Sequence, residues 1–537
     1  MNLFTQFLSE RSGLPEPPLR LLLTVLLGFP AAVIYNYLFG QNAQISTTKD
    51  GVNLSHYKIY YILGAGILLN YFFNSFYIYH SLLTISVTYG LLYILGEQTL
   101  KNRFIANVCV WIFNAVYLLL GYYYMQTDDY DITWTMTHCV LCLRLMGFGF
   151  DYYDAAKHLQ KKVAEGTVNP VGLEAEVKQT AVIKEDENTT TTTNQSKKTP
   201  SSILPLSFLD DTPLFELPNI LEVFAYCLFP SAFLVGPQFS FSLFKKWINN
   251  ETQQELTTLQ KEETYKIQIV YVLRSVALAA LYLGIQQTIG TQYSTSYLLT
   301  EEYRSLNFIN RLFILCLAGK FAYMKYIGIW LLTEGSVALF GISYDRRNYY
   351  NTVDKKNVTL FSGLANTKPA LFETATSIDH IILSFNINTN LWTKYYVFKR
   401  LRFLGNKNLS QFGTLAFLAI WHGFHTMYFV TFLLEFVYVQ AETVLRERLV
   451  VPYIYPFVGS SDNSMKKGPL FYAWKIIAWA TCQFTVTYAV VGFELLKVHK
   501  SIAAYQSVYF VGHIPALIVL ALHKILPKPM SMKKKVE

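Results

Sequence analysis

The residue best suited to do chemistry is a histidine inside an apolar segment. His422 lies in the run Leu415-Ala416-Phe417-Leu418-Ala419-Ile420-Trp421-His422-Gly423-Phe424-His425, which reads as the interior of an apolar helix. Polar side chains at membrane depth are costly, and their default reading is functional. A neutral imidazole accepts a proton near pH 7, so His422 is a candidate general base. Gly423 removes side-chain bulk beside it and leaves room for a substrate. His425 follows three residues on, on the same helical face. The bland alternative for either histidine is a hydrogen-bonded contact between helices. Upstream lies Phe385-Asn386-Ile387-Asn388-Thr389-Asn390-Leu391-Trp392, where three amides and a threonine alternate with apolar residues. An Asn can offer an N–H to a developing oxyanion, or its carbonyl to orient a donor. The alternative is capping of a helix by Asn or Thr.

His422 and Asn386 are therefore the candidate catalytic pair. Asn388, Thr389, Trp392, Trp421 and His425 are candidate substrate contacts. Between the two motifs, Lys399, Arg400 and Arg402 could meet phosphate groups. Anchoring on the cytoplasmic side explains the same three residues equally well. No serine nucleophile elbow, glycine-rich phosphate loop or metal-ligand cluster competes with the pair. Cys139 and Cys142 lack a second pair and read as small apolar packing residues, as do the other four cysteines. Arg144 is expected to snorkel its charge outward from near the end of its span. His138 and His513 each read as a bond to a neighbouring helix.

These residues must be held by helices in a bilayer. The chain of 537 residues is 52% hydrophobic and 15% charged, against roughly 25% charged in an ordinary soluble domain. Apolar segments run near Leu21–Leu38, Ile59–Tyr77, Leu82–Leu95, Ile105–Tyr124, Ile132–Phe150 and Ile220–Phe241. Others lie near Ile267–Ile289, Phe308–Ile342, Phe412–Val439, Phe471–Leu495 and Tyr505–Leu522. With about 20 residues needed per crossing, they predict an all-α integral membrane protein of roughly ten or eleven transmembrane helices plus interfacial helices. One domain is expected, interrupted by a polar linker over Asp151–Pro218. The stretch from Tyr344 to Gln411 mixes charged and apolar residues, as amphipathic helices at the membrane surface do. No cleavable signal peptide is expected at Met1–Pro18. The basic tail at 523–537 predicts a cytosolic C-terminus. Its Lys534 and Lys535 match a dilysine retrieval signal of the endoplasmic reticulum.

The paired motifs resemble the membrane-bound O-acyltransferase superfamily. Its phospholipid-remodelling members carry a Trp-Asn-x-x-Thr-x-x-Trp pattern and then a Trp-His-Gly pattern. Asn386, Thr389 and Trp392 match the first, with Phe385 where Trp is common, and Trp421-His422-Gly423 matches the second. The segments Thr127–Met136 and Phe398–Lys407 extend the resemblance over most of the chain. It implies acyl transfer from acyl-CoA, the co-substrate, to the free sn-2 hydroxyl of a lysophospholipid, with no permanently bound cofactor. It also implies lysophosphatidylcholine as first acceptor, with the ethanolamine and serine lysophospholipids besides, and a polyunsaturated acyl chain. His422 would be the base, and Asn386 would position the reactants or hold the oxyanion. A sterol, diacylglycerol or protein acceptor and a multi-span transporter remain as alternatives. A homo-oligomer is compatible with the reading, and no nucleic-acid partner is implied.

Overall fold

The computed structural model describes residues 3–40, 54–96, 100–127, 132–164, 205–208, 212–250, 258–345, 360–458 and 468–525. Among these residues the regular structure is helical, with no strand. That follows from the solvent: backbone N–H and C=O groups in hydrocarbon must be bonded within their own segment. Among the described residues, seven helical stretches are long and apolar enough to cross a membrane. One is the run Leu54–Gly96, which Ser75–Tyr77 divides into two helices, as the separate apolar segments predict. The chain divides into two compact units.

The first unit comprises Met1–Met125, Ile132–Val276 and Leu332–Ala365. Its helices are α1 (Leu3–Ser12), α2 (Glu16–Phe39), α3 (Leu54–Asn74), α4 (Ile78–Gly96), α5 (Leu100–Met125), α6 (Trp134–Ala164), α7 (Ile220–Cys227) and α8 (Phe241–Ile248). The first part of α9 (Thr258–Ile285) also belongs to it. Arg144 does not snorkel. It is fully buried, and its guanidinium donates to the carbonyls of Tyr226, Cys227, Ala232 and Pro237 at 3.0–3.2 Å. The end of α7 and the irregular stretch after it leave carbonyls that no helix satisfies, and one planar five-donor group satisfies four of them. Phe239 lies 4.9 Å beneath the same cation. His138 is buried against Tyr117 and Trp134 instead of bonding a neighbouring helix, with no hydrogen bond among the described residues. The first residues of the stretch expected to be a polar linker, Asp151–Ala164, are helical. Helix α6 runs on to Ala164, with Asp151, Tyr152, Ala155 and Ala156 all buried. Residues 165–204 and the tail from 526 lie outside the described residues.

The second unit comprises Gln126–Asp131, Ala277–Leu331 and Asn366–Glu537. It holds most of α11 (Phe308–Phe340), which follows the short α10 (Glu301–Ser305). Then come three short helices, α12 (Pro369–Glu373), α13 (Ile378–Ile382) and α14 (Ile387–Thr393), in the stretch expected to be amphipathic. A π-turn at Lys394–Phe398 and a 3₁₀ turn at Arg400–Leu404 lead into α15 (Lys407–His422) and α16 (Thr426–Leu445). After α17 (Tyr455–Val458), the chain closes with α18 (Pro469–Leu495), α19 (Val498–Ser507) and α20 (His513–Ala521). Several charges inside this unit are paired. Lys325 of α11 meets Glu494 of α18 at 2.8 Å, and the Tyr326 hydroxyl donates to the same carboxylate at 2.7 Å. Lys320 pairs with Glu373, which also accepts from Tyr282 at 2.9 Å. His513 meets the Tyr488 hydroxyl at 2.8 Å, a helix contact as expected.

Candidate active site

Both motifs fall in the second unit. His422 is not inside a helix but is the last residue of α15, and Gly423 ends that helix at φ 120°, ψ −167°. An L-residue with a β-carbon avoids that region, so glycine is needed for the backbone turn rather than only for room. The turn also separates the two histidines. His425 does not share the face of His422; it is the N-cap position of α16, buried and edge-on to Tyr428.

At this break the His422 ring is tied to its own helix. His422 Nδ1 lies 2.7 Å from the Leu418 carbonyl. A carbonyl only accepts, so Nδ1 carries the proton and Nε2 is left with the lone pair. The ring is surrounded by Trp421 (4.6 Å between centroids), Phe493 (5.2 Å), Phe432 (5.3 Å) and Tyr428 (5.6 Å). Although enclosed by protein, it retains accessible surface.

The asparagine motif is organised by a residue outside both motifs. Asn386 precedes α14 in the left-handed conformation, φ 47° and ψ 44°, and its side chain makes no capping bond. Capping therefore does not account for it. The Asn366 amide reaches the Asn386 Oδ1 at 3.5 Å, while the Asn366 carbonyl accepts from the Ile387 N–H at 3.0 Å. Asn366 Oδ1 also accepts from the Asn388 backbone N–H at 3.0 Å and from its side-chain amide at 3.2 Å. With its Oδ1 turned toward Asn366, Asn386 keeps its N–H₂ for another acceptor, whereas Asn388 is engaged with the scaffold. Sequence reasoning missed Asn366, which lies in the unremarkable polar stretch Ala365-Asn366-Thr367-Lys368.

Aromatic packing holds the motif in place. Phe385 lies edge-on to Trp330 and Tyr323, each 4.8 Å away, so a phenyl ring fills the place where the superfamily pattern has an indole. Trp392 is buried and stacks on Phe417 of α15 at 5.9 Å, and thereby joins the asparagine motif to the helix that ends in His422. Thr389 is buried. Of the basic run, Lys399 and Arg402 are exposed and Arg400 is half-buried beside Tyr396. Partial burial, and then the neighbouring Lys394 and Arg402, hold the Lys399 ammonium below the usual lysine range. Such crowding of like charge favours an anion.

The model of the membrane-bound O-acyltransferase family matches residues 119–490. The chain belongs to the membrane-bound O-acyltransferase family. The match takes in Asn386 and His422 together. The chain is similar to "Lysophospholipid acyltransferase 5" of Drosophila melanogaster, with 34% identity over 508 residues, covering 93% of this chain and 85% of the relative. It is also similar to the protein of that name from Homo sapiens, 32% identical, covering 98% and 92%. The one from Caenorhabditis elegans is 28% identical, covering 97% and 95%. As a membrane-bound O-acyltransferase, the chain has in its second unit an imidazole whose Nε2 keeps its lone pair and an amide of fixed backbone conformation, both in the matched region.

Proposed function

We propose that this membrane-bound O-acyltransferase re-acylates lysophospholipids, taking the acyl group from acyl-CoA to the free sn-2 hydroxyl. The observation that carries the chemistry is the His422 Nδ1–Leu418 bond, which leaves Nε2 as acceptor. The names of full-length relatives in flies, mammals and worms support the acceptor class. Lysophosphatidylcholine is the first acceptor to test, with the ethanolamine and serine analogues next to it, and polyunsaturated acyl-CoA is the first donor.

In this mechanism the acceptor hydroxyl attacks the thioester carbonyl carbon while His422 Nε2 takes its proton. The carbonyl oxygen becomes an oxyanion and accepts from the Asn386 side-chain N–H. Collapse re-forms the carbonyl and breaks the C–S bond. The thiolate takes the proton back from Nε2, and coenzyme A leaves as the thiol. Trp392 and Trp421 shape the surroundings of the two groups, and His425 supports the start of α16. Lys399, Arg400 and Arg402 meet the phosphates of coenzyme A or of the acceptor. Both substrates are amphiphiles, and a reaction centre among membrane helices receives their chains without exposing them to water. The Lys534–Lys535 pair and the basic stretch around it support an endoplasmic-reticulum location with a cytosolic C-terminal segment.

The test is acyl transfer by purified protein from labelled acyl-CoA to a panel of lysophospholipids, a sterol and a diacylglycerol, with products separated by chromatography. Labelled phospholipid is the expected product. Transfer to sterol or diacylglycerol in its place would refute the acceptor assignment.

A further inference from the structure

An unpaired carboxylate is costly in a medium of low dielectric, so acidic side chains among membrane helices are expected to have partners. In the second unit most do. Glu373 has Lys320 and Tyr282, Glu494 has Lys325 and Tyr326, and Glu442 accepts from the Ile378 amide at 3.0 Å. Glu435 differs from these: it has no hydrogen bond and no ion pair among the described residues. It stands midway along α16. Its side chain is enclosed by protein yet keeps accessible surface, as the His422 ring does.

Its place relative to the reacting groups follows from helix geometry. Tyr428, Phe432 and Glu435 are spaced by four and three residues and so share one face of α16. The first two are the residues whose rings lie 5.6 and 5.3 Å from His422. The base is thus level with the turn between them, and Glu435 lies about 7–8 Å further along the axis at 1.5 Å per residue. Tyr323 lies close enough to Glu435 for an electrostatic interaction, and it packs at 4.8 Å on Phe385, the neighbour of Asn386. Glu435 is therefore flanked by residues that touch both motifs.

We infer that Glu435 receives the cationic nitrogen of the acceptor's head group, the quaternary ammonium of choline or the primary ammonium of ethanolamine. The inference rests on the lysophospholipid reading above. In such an acceptor about eight covalent bonds separate the sn-2 oxygen from that nitrogen, a reach of about 6–10 Å depending on torsions. That reach matches the offset of Glu435 from the base. The ammonium supplies the charge that Glu435 otherwise lacks, and the Tyr323 and Phe432 rings offer π-faces that attract a cation. An acceptor whose head group has no cation gains nothing there and brings its phosphate nearer a like charge. Glu435 takes part in no covalent step.

The test uses the purified full-length chain with acyl-CoA and three acceptors, lysophosphatidylcholine, lysophosphatidylethanolamine and lysophosphatidylglycerol. Glu435→Gln keeps the shape and removes the charge. KM should rise about tenfold for the first two acceptors, as for loss of a charged contact, with kcat within about twofold, while KM for lysophosphatidylglycerol stays the same or falls as the like charge is removed. Glu435→Asp, which retains the charge, should recover part of the loss. A fall in kcat of equal size for all three acceptors would overturn the inference, because it would assign Glu435 to proton handling or to packing. As a measurement on the unmutated protein, carbodiimide labelling of Glu435, located by peptide mass spectrometry, should be slowed by lysophosphatidylcholine and not by lysophosphatidylglycerol. Equal protection by both would also overturn it. If the wild-type chain acylates none of the three, the lysophospholipid reading itself fails and the inference with it, a result distinct from an unselective effect of Glu435→Gln.

Discussion

Asn386 allows a test that separates chemistry from conformation. The residue is left-handed, with φ 47° and ψ 44°. Asn and Gly tolerate that region, whereas an alanine there costs roughly 1–2 kcal/mol. Asn386→Ala therefore combines two losses, the side-chain amide and the relaxed backbone. Asn386→Gly removes only the amide. If the N–H₂ group donates to the oxyanion, each variant should lose about 10²–10³ in kcat, or 2.7–4 kcal/mol of transition-state stabilisation. The two should nevertheless differ in stability: the glycine variant should match wild type in thermal midpoint, and the alanine variant should unfold at a lower temperature. The assay is single-substrate turnover of purified variants matched by gel filtration, alongside thermal unfolding in the same detergent. A glycine variant with wild-type kcat would refute the reasoning, because Asn386 would then be present only for its backbone.

The other predictions concern the residues around that amide. His422→Ala should lose roughly 10²–10⁴ in kcat while still binding acyl-CoA, whereas His425→Ala should be milder; turnover and acyl-CoA binding by the two variants decide the matter, and a dead His425→Ala beside an active His422→Ala would reverse the assignment. Gly423→Ala should disrupt the reversal between α15 and α16 and reduce both folded yield and activity, measured by gel filtration and turnover, since φ 120° excludes a β-carbon. Lys399→Met with Arg402→Met should raise KM for acyl-CoA and weaken its salt dependence, and because Lys399 lies below the usual lysine range its contribution should fade as pH rises, at lower pH than for an ordinary lysine. Replacing Lys184–Lys198 by a short Gly/Ser linker should leave specific activity within a few-fold, because such a composition builds no core.

The helical class and the two motifs were legible in the sequence for one physical reason. Polar residues are expensive in apolar runs, so His422 and Asn386 stand out where they would be ordinary in a soluble protein. What was not legible depends on backbone conformation and on long-range partners. The reason for Gly423 looked like space and is a φ value. His425 looked like a face-mate of His422 because the periodicity ran through the glycine that ends the helix. Arg144 looked like a snorkelling residue because nothing local reveals the four carbonyls that surround it, which come from 82 to 93 residues away. Asn366 gave no signal, since an Asn in a polar loop is the usual turn residue, and its bonds to Asn386 and Asn388 appear only when the loop is folded.

The Lys325–Glu494 pair also sets a schedule for biogenesis. The two residues are 169 positions apart in the chain. A ribosome adding about 5–20 residues per second makes α11 roughly 8–34 seconds before it reaches the counter-ion. During that interval α11 enters the bilayer with a lysine near its middle, at a cost of about 2.5–3.5 kcal/mol on insertion scales. Nascent chains halted before α18 should therefore stay near the insertion machinery and turn over faster than the full-length chain, as pulse-chase labelling of the two would show.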